Sequence, residues 1–432
     1  MKVPSELFFF HDRMPVADLG SLNEPLLAAM QQWNIGKVDN KKHIQFCGMV
    51  QLANAQTAVF LPRSMDATTL EAASLTMNVL SRFGRETTSR ELTSDGETGN
   101  PGVLSVIKKL AEDFRTSGIF SERQYVRSRN TGKPDWKRTV SREIAFISTT
   151  GNVVYPNIST TKPLDSKNNL LAQIQAAVVR EIIDQHGWWL NGARSRRSEL
   201  SKMNFPTQSR KLWLKLLEGL LPRLYSSRAI FLANYLIYYL RNCRPSASGS
   251  YVFGVEDFHT VWETMLRHTL IGVENGWNAR LPKPVYELSF GNRADAPTRG
   301  MRTDIVVKLG DDYIIIDAKY YEASSANTAP GASDIIKQLF YEKALRTVIG
   351  KNPSIRNAFL FPISDGFVGK LSGVKFIKAN NSVAMNFSPI ECHYFEISSV
   401  MAAYVGFRRD LHAPELVRMK QTNPFPQRPK QG

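Results

Sequence analysis

The sequence predicts an α/β protein in which a β-rich N-terminal part and a basic helical middle precede a C-terminal core, a mixed sheet flanked by helices. Three observations predict this arrangement. Two apolar runs surround a polar turn at 53–56, which is typical of a β-hairpin. Apolar residues recur every three to four positions over 168–186, as on an amphipathic helix. A helix, three strands, a second helix and a further strand then follow one another over 257–363, an order typical of a compact α/β core.

The N-terminal part is expected to contain a hairpin, a helix, a loop and a further strand. The hairpin covers His43–Met65, and Asp66 is the predicted N-cap of a helix that ends at Arg85. Residues 93–102 consist mainly of Gly, Thr, Ser, Asp and Asn, so they predict a surface loop. A short strand is expected at 152–156.

The middle of the chain is predicted to be helical and strongly basic. Apolar spacing predicts further helices over 210–225 and 229–240. Within 188–244, eleven Lys or Arg face only two acidic residues. Residues 243–250 contain one Pro, one Gly and three Ser, which indicates a linker to the C-terminal core.

The C-terminal core is predicted to alternate helices and strands. The first helix covers 257–270, and the second covers 333–349 with Ser333 as its N-cap. The predicted strands are 285–290, 304–309, 313–321 and 357–363.

Composition restricts the class of protein. Lys and Arg number 55 against 39 Asp and Glu, a net charge of +16, which indicates a polyanionic partner, nucleic acid before a membrane surface. The three cysteines lie far apart and predict neither a disulfide framework nor a zinc site. The apolar run before His11 is short for a signal peptide, and the run at 229–240 is short for a membrane span. We therefore expect a soluble intracellular protein.

Two aspartates and a lysine lie at the ends of neighbouring predicted strands. Asp304 opens one strand, and Asp317 ends the next after a turn at 310–312. Because facing ends of a hairpin are neighbours in space, the two carboxylates can share one hard divalent cation. Lys319 is two residues from Asp317, hence on the same face of the strand. A cation lowers the pKa of its bound water, and Lys319 can hold that water and help to deprotonate it, so the pattern indicates phosphodiester hydrolysis.

The alternative interpretation of these residues is structural. Asp304 would then be a cap or turn residue, and Asp317 with Lys319 a strand-end ion pair. A charged pair at the end of the apolar run 314–316 is costly unless it serves a site, which favours the catalytic interpretation. The sequence contains no G-x-x-x-x-G-K-[ST], so any nucleotide hydrolysis would come from a partner.

Residues 257–363 resemble the PD-(D/E)XK nuclease superfamily. Thr303–Asp304 occupies the PD position, with Thr in place of Pro, and Asp317–Ala318–Lys319 matches (D/E)XK. The resemblance implies Mg²⁺ as the cofactor, with Mn²⁺ as a substitute, held by both aspartates and the Ala318 carbonyl. It also implies double-stranded DNA as the substrate.

The resemblance assigns further roles on the two helices. The first helix of the superfamily often carries a metal-site glutamate, which Glu263 would supply here as a catalytic and metal-binding residue; the open alternative is a solvated helix residue. Weaker candidates for that role are Glu256 and Glu287. On the second helix, the resemblance implies Gln338 as a catalytic residue and Tyr341 as a DNA contact, and Lys337 or Lys343 could reach phosphate instead of Tyr341. Gln338 and Tyr341 are three residues apart instead of the four seen in RecB-like nucleases, which still places them on one helical face.

A second resemblance covers more of the chain. The segment T-G-K-P-D-W-K-R-T-V at 131–140, F-x-x-V-W-E at 258–263 and D-A-K-Y-Y at 317–321 are similar to LlaJI-type restriction endonucleases and, more distantly, to McrC. This resemblance implies a cytoplasmic bacterial protein of phage defence. It further implies work beside an AAA+ GTPase of the McrB kind, as part of a homo- or hetero-oligomer.

These features together divide the chain into four predicted regions. They are a β-rich partner- or DNA-binding domain at 1–160, a basic helical region at 161–245, a PD-(D/E)XK nuclease domain at 251–400 and a basic, partly disordered tail at 401–432.

Two basic segments are candidates for DNA contact. The first covers 108–142, where basic residues alternate with Tyr125 and Trp136. This composition suits phosphate contact and base stacking, or else a solvated loop anchored by Trp136. The second is the helical region, whose charge suits the DNA backbone. The candidate DNA-binding residues are Lys137, Arg138, Arg194, Arg196, Arg197, Arg210 and Lys211.

Two other functions remain open on the sequence. A DNA repair or transposon-end nuclease would use the same core, so the site residues do not discriminate. A non-catalytic DNA-binding adaptor that regulates an AAA+ partner is the rival of a different class. The complete set of Asp304, Asp317 and Lys319 disfavours this adaptor, because an inactive protein has no need for a buried charge cluster.

Overall fold

The structure is a computed structural model, and its described part covers most of the chain. The described residues are 6–65, 68–91, 101–166, 169–190, 196–204, 206–244, 246, 249–287, 293–295, 301–350, 353–364, 371–380, 382, 384 and 387–411. They form a mixed α/β structure, as predicted. No helix among these residues is both long enough and apolar enough to cross a membrane.

The elements are numbered in chain order. The helices are α1 Asn23–Gln32, α2 Leu70–Glu91, α3 Pro101–Ser117, α4 Trp136–Arg142, α5 Leu170–His186, α6 Arg197–Leu200, α7 Arg210–Leu220, α8 Ser227–Asn242, α9 Phe258–Thr269, α10 Trp277–Arg280, α11 Ala332–Ile349 and α12 Ile397–Val405. The strands are β1 Glu6–His11, β2 Lys37–Val38, β3 Ile44–Gln45, β4 Cys47–Gln51, β5 Gln56–Leu61, β6 Glu122–Arg129, β7 Lys133–Pro134, β8 Phe146–Ile147, β9 Val153–Val154, β10 Ser159–Ser166, β11 Tyr251–Val255, β12 Val273–Glu274, β13 Val285–Glu287, β14 Arg293–Asp295, β15 Ile305–Leu309, β16 Asp312–Ala318, β17 Ile355–Ile363, β18 Gly373–Val374 and β19 Ile390–Glu396.

The chain divides into two compact units. The first combines Val3–Ser105 with Pro245–Gly432, and the second is Val106–Arg244. The second unit is therefore an insertion in the sequence of the first. This grouping joins the N-terminal residues to the C-terminal core, whereas the regions predicted from the sequence separate them.

The first unit contains a four-stranded sheet of order β1-β5-β4-β11. Strands β4 and β5 form the predicted hairpin, and β1 lies parallel to β5. Helix α1 covers one face, where Leu26 and Met30 pack in a buried cluster with Phe46 and Phe60. Burial of these large apolar side chains stabilises this part of the unit.

A six-stranded sheet of order β12-β15-β16-β17-β19-β18 forms the C-terminal core of the same unit. Strands β15 and β16 are antiparallel, whereas β16, β17 and β19 run parallel to one another. Helix α11 makes the crossover between β16 and β17, as a parallel pair requires. Its Ala344 and Leu345 are buried against Ile315 and Ile355. Side chains at odd positions of β16 therefore face α11.

Three helices of the first unit pack together. Helix α2 contacts both α9 and α12, and it also contacts β4 and β5 of the four-stranded sheet. The guanidinium of Arg82 on α2 lies 4.0 Å from the ring centroid of Tyr404 and 3.9 Å from that of Phe407, in cation–π contacts. The four-stranded sheet thus reaches the C-terminal core through α2.

The second unit contains the predicted basic helices and a three-stranded sheet of order β6-β10-β7. Asn169 caps α5, since its Oδ1 accepts a hydrogen bond from the backbone N–H of Ala172 at 2.9 Å. Helix α8 contacts both α5 and α7. Asp113 joins α3 to α8 through a double hydrogen bond from the Arg228 guanidinium, with both distances at 3.0 Å.

Several boundaries differ from those predicted. Helix α2 begins at Leu70, and its predicted N-cap Asp66 lies outside the described residues, as do 93–100 of the predicted loop. Pro101 and Gly102, expected in that loop, instead begin α3. The N-cap of α11 is Gly331, so the prediction of Ser333 was wrong: the helix already starts one residue before it.

Of the predicted tail at 401–432, the structure describes only the first part. Helix α12 runs across residue 401, and its Met401 and Tyr404 are fully buried. The ordered core therefore continues past the predicted boundary. Residues 412–432 lie outside the described part of the chain.

Candidate active site

The β15–β16 hairpin brings Asp304 and Asp317 together. Ile305 pairs with Ile316, so Asp304, one residue before β15, stands opposite Asp317. The Oδ2 atom of Asp304 accepts a hydrogen bond from the backbone N–H of Ala318 at 2.9 Å. This bond fixes the Asp304 carboxylate beside the end of β16.

Asn278 holds the chain just before Asp304. Its Oδ1 accepts from the Thr303 backbone N–H at 2.9 Å and from the Thr303 hydroxyl at 3.1 Å. Its Nδ2 donates to the Thr303 carbonyl at 3.2 Å. The N–H and the hydroxyl of Thr303 thus donate hydrogen bonds that a proline at this position could not donate.

Burial and proximity leave the two carboxyl groups with raised pKa values. Burial, followed by the hydrogen bond with Asp304 and its charge, raises the pKa of Asp317 to about 7. Burial also raises the pKa of Asp304, and the Glu263 carboxylate adds to this effect. Two such groups at hydrogen-bond distance share a proton more readily than they both ionise. A cation placed between them would take over the role of that proton.

Lys319 lies between two carboxylates. Its Nζ is 2.7 Å from Oδ2 of Asp317 and 2.9 Å from Oδ1 of Asp334. Burial acts to lower the pKa of Lys319, but the two carboxylates outweigh burial and raise it. The lysine is therefore an ammonium at neutral pH and can donate hydrogen bonds to a water or a phosphate oxygen.

Asp334 is the site residue that the sequence analysis missed. It lies in the first turn of α11, the helix that follows β16. The signal in the sequence was an acidic residue at the start of a crossover helix whose preceding strand ends in D-x-K. Only the packing of α11 on the sheet shows that it reaches Lys319.

Glu263 reaches the site indirectly. It forms an ion pair with Arg267 one turn later on α9. The Arg267 guanidinium in turn donates to the backbone carbonyl of Asp304 at 3.0 Å. Glu263 therefore lies close enough to act on the Asp304 carboxylate electrostatically, while its charge is partly balanced by Arg267.

The two candidate residues on α11 take different positions. Gln338 is buried, and its amide donates to the carbonyls of Ile315 at 2.7 Å and Ala358 at 3.3 Å. It therefore ties α11 to β16 and β17. Burial raises the pKa of Tyr341, and the charges of Asp304 and Asp317 raise it further, so this residue lies within electrostatic range of the carboxylate pair. Lys337 is exposed on the same helix.

The other acidic candidates lie elsewhere. Glu256 pairs with Lys37 at 2.7 Å, and Glu287 belongs to the small β13–β14 hairpin. Across the described residues, no group of three or more His, Cys, Asp or Glu side chains forms a metal-type cluster. The oxygen atoms at the hairpin end include those of the Asp304 and Asp317 carboxylates and the backbone carbonyl of Ala318.

Three of the basic candidates of the second unit are paired with acids. Arg196 pairs with Glu199 at 3.1 Å, Arg197 with Asp184 at 2.6 Å and Arg210 with Glu181 at 2.7 Å. Lys137 and Lys211 are exposed, Arg138 is half-buried, and Arg194 lies outside the described residues. Their contact with DNA stays a prediction.

A mixed α/β fold with a cluster of carboxylates and a lysine at a strand end is compatible with a hydrolase. Comparison with known proteins identifies the protein family. The family model of the LlaJI restriction endonuclease matches residues 46–403. The chain belongs to that family, which confirms the resemblance found in the sequence.

One curated relative is similar over part of the chain. It is the YdjA component of the Type II restriction enzyme BsuMI from Bacillus subtilis (strain 168), 25% identical over 171 residues. The match covers 38% of this chain and 33% of the relative, so the chain spans about a third of the relative's length.

Proposed function

We propose that this protein is the Mg²⁺-dependent endonuclease subunit of a bacterial restriction system and hydrolyses phosphodiester bonds of double-stranded DNA. The observation that carries the proposal is the Asp304–Asp317 pair with Lys319 beside it, in a chain of a restriction endonuclease family. The relative is by its name a component of a restriction enzyme, which supports a role as one subunit among several. The assignment to the PD-(D/E)XK superfamily is part of this proposal.

The residues present fit a hard divalent cation. Asp304 and Asp317 offer carboxylate oxygens, the ligands that Mg²⁺ prefers, and the Ala318 carbonyl adds a third oxygen. The raised pKa values of both aspartates indicate that the Lys319 ammonium does not by itself offset their burial, so a further positive charge would favour the ionised form of both. We infer that these three groups would hold Mg²⁺, or Mn²⁺ in its place, with Glu263 as a further ligand once Arg267 releases it.

Each residue then has a defined task. When bound, the cation would lower the pKa of a water and offset charge on the phosphate. The Lys319 ammonium, held by Asp317 and Asp334, donates hydrogen bonds that orient the attacking water and a phosphate oxygen. Tyr341 lies beside the carboxylates, where its hydroxyl can contact the DNA backbone. In-line attack on phosphorus would leave a 5′-phosphate.

A GTPase partner completes the proposal. The chain has no phosphate-binding loop of the G-x-x-x-x-G-K-[ST] type in its sequence, so GTP hydrolysis would belong to an AAA+ subunit of the McrB kind. The phosphate that the core attacks is common to all DNA, so the core alone would not select particular targets. Coupling cleavage to such a subunit would explain how the selection is made.

The test is plasmid cleavage by the purified chain, with Mg²⁺ or EDTA, and with or without the AAA+ subunit and GTP. We expect Asp317→Asn to lower cleavage at least about 100-fold, because it removes one ionised oxygen from the site. DNA binding, measured by gel shift, should persist.

Asp311→Asn is the matched control, since Asp311 is an exposed residue in the turn of the same hairpin. It should cleave like the unmodified chain. Equal cleavage by Asp317→Asn and Asp311→Asn would contradict the proposed site, and equal cleavage in Mg²⁺ and EDTA would contradict the metal.

A further inference from the structure

A pocket of about 650 Å³ adjoins the end of β16. Its lining includes Ala318, Lys319 and Tyr320 at the end of that strand. The lining also includes Arg13, Lys41 and Arg63 from the N-terminal part of the first unit, which we call the wall. Lys319 of the candidate active site thus shares a pocket with cationic residues that the C-terminal core does not itself supply.

Strand direction explains why these N-terminal residues meet at the pocket. Strands β1 and β5 are parallel and in register, so they end at the same edge of their sheet. Arg13 follows β1, and Arg63 follows β5. The backbone N–H of Arg63 donates to the Tyr320 hydroxyl at 3.0 Å, and this buried ring packs on Phe258 with centroids 5.1 Å apart. The edge of the four-stranded sheet is thereby fixed beside the end of β16.

The wall carries a positive charge. Arg63 and Lys41 are exposed, and neither forms an ion pair within the part of the chain that the structure describes. The carboxylate of Asp39, which also lines the pocket, accepts from the backbone of Lys41 and His43 and lies 3.3 Å from the His43 ring. These contacts hold the Asp39 carboxylate against the backbone of Lys41 and His43.

One buried carboxylate lies behind the wall. Oδ1 of Asp12 accepts from the backbone N–H of Phe46 at 3.0 Å and lies 3.8 Å from Nε of Arg13. Burial raises the pKa of Asp12 to about 6, although the nearby Arg13 and Arg63 charges act to lower it. Asp12 and Asp39 together offset at most two of the three cationic charges, so the wall keeps a net positive charge.

We propose that Arg13, Lys41 and Arg63 bind backbone phosphates of the DNA strand that is cut, next to the phosphate held at Lys319. The identity of this ligand rests on the proposed function. The pocket is within the range of about 300–1,000 Å³ that accommodates ligands larger than a single phosphate. Because consecutive phosphates are covalently linked, a strand that places one phosphate at Lys319 must carry its neighbour through this pocket. Guanidinium and ammonium groups are the side chains that hold phosphates.

The proposal assigns a task to the N-terminal sheet. Residues 6–65 would complete the DNA-binding surface of the nuclease core, in addition to any contact with a partner. The pairing of β1 with β5 builds the sheet and also sets the spacing between Arg13 and Arg63, which follow these two strands.

The test measures DNA affinity separately from cleavage. In the full-length Asp317→Asn chain, Lys41→Ala and Arg63→Ala are combined, and binding of a labelled duplex is followed by fluorescence anisotropy at several KCl concentrations. The control in the same background combines Lys375→Ala with Lys378→Ala, which removes equal charge from exposed lysines beyond the edge strand β18.

We expect the slope of log affinity against log salt to become shallower by about 1.8 in the test variant, about 0.9 for each lost phosphate contact. The control should keep the original slope. In a chain with Asp317 intact, Lys41→Ala/Arg63→Ala should raise KM for DNA with kcat close to that of the control.

The two proposals fail in different ways. A slope equal to that of the control, in a variant with the same unfolding midpoint, would overturn the phosphate wall even if the enzyme cuts DNA. A shallower slope in a protein that does not cut DNA would uphold the wall and overturn the nuclease. Arg63 meets Tyr320 through its backbone, so Arg63→Ala keeps that bond and is expected to fold.

Discussion

Lys319 has two carboxylate partners, and this pairing determines both its charge and its position. Asp317 belongs to the same strand, whereas Asp334 comes from the helix packed on it. A lysine with one partner could rotate away; two partners on different elements fix the ammonium between them. The raised pKa makes Lys319 a donor of hydrogen bonds and disfavours its use as a base. Under the proposed function, its task is therefore to orient water and phosphate.

Asp334→Asn tests this task. With one carboxylate removed, the pKa of Lys319 falls, because less negative charge stabilises its protonated form. Activity that requires the ammonium is retained below that pKa and lost above it, so the alkaline limb of the pH–rate profile should move to lower pH. We also expect kcat at neutral pH to fall about 10-fold from looser positioning.

Ser333→Ala, on the neighbouring exposed residue, is the control for Asp334→Asn. It should leave the pH profile where it is. A purely structural role of Asp334 would lower the amount of folded enzyme without moving the alkaline limb, and that result would contradict the assignment.

A polar contact within an otherwise apolar interface attaches helix α11 to the sheet. Gln338 spans from the helix to the carbonyls of two neighbouring parallel strands. Such a side chain sets the position of the helix along the sheet, and hence the distance from Asp334 to Lys319. The catalytic role that the sequence suggested for Gln338 stays a prediction beside this structural one.

We expect Gln338→Leu to lower the free energy of unfolding by about 1–3 kcal/mol, since buried carbonyls lose a donor. Urea unfolding at 25 °C measures this change. Lys343→Ala, at an exposed position of the same helix, should change the free energy by less than about 0.5 kcal/mol. Equal midpoints for Gln338→Leu and Lys343→Ala would contradict the anchoring role.

Elements with a strong local pattern were predictable from the sequence. The hairpin of β4 and β5, helix α9 and helix α11 all occur within a few residues of their predicted bounds. Their signals are local: turn residues between apolar runs, and apolar spacing over several helical turns. Helix α3 carried the same kind of signal, with Pro101 in its first turn and buried Val103, Ile107 and Phe114 behind it, but its basic residues were interpreted only as a charged segment.

Contacts between distant parts of the chain were not predictable in this way. The proximity of Asp304 and Asp317 follows from a short hairpin, so the sequence indicated it. The parallel pairing of β1 with β5 and the pairing of β11 with β4 depend on tertiary packing, which no local pattern encodes. For the same reason the sequence placed neither Asp334 nor the cationic wall at the site.

At the scale of the whole molecule, the C-terminal core shares its interior with the N-terminal residues. Strand β11 pairs with β4, and α9 and α12 pack on α2. A chain that begins near residue 245 would lack β4 and α2, and it would expose the apolar faces that they cover. The core is therefore not expected to be an independent domain.

We predict that a fragment of residues 245–432 aggregates or fails to unfold cooperatively, because the burial of Trp262, Met401 and Tyr404 depends on missing neighbours. Limited proteolysis and urea unfolding compare it with the full chain. Coexpression with residues 1–105 should restore protease resistance. A fragment that resists protease by itself and unfolds in one sharp transition would contradict this prediction.

The insertion of the second unit also affects the newly made chain. Strand β4 ends at Gln51, and its partner β11 starts at Tyr251, about 200 residues later. At a synthesis rate of about 5–20 residues per second, the ribosome needs about 10–40 s to supply that partner. During this interval one edge of the first sheet presents unpaired backbone groups, which can pair with another nascent chain on the same messenger RNA. Early folding of the inserted unit would shorten the interval in which β4 lacks its partner only if it also brings β11 promptly to β4.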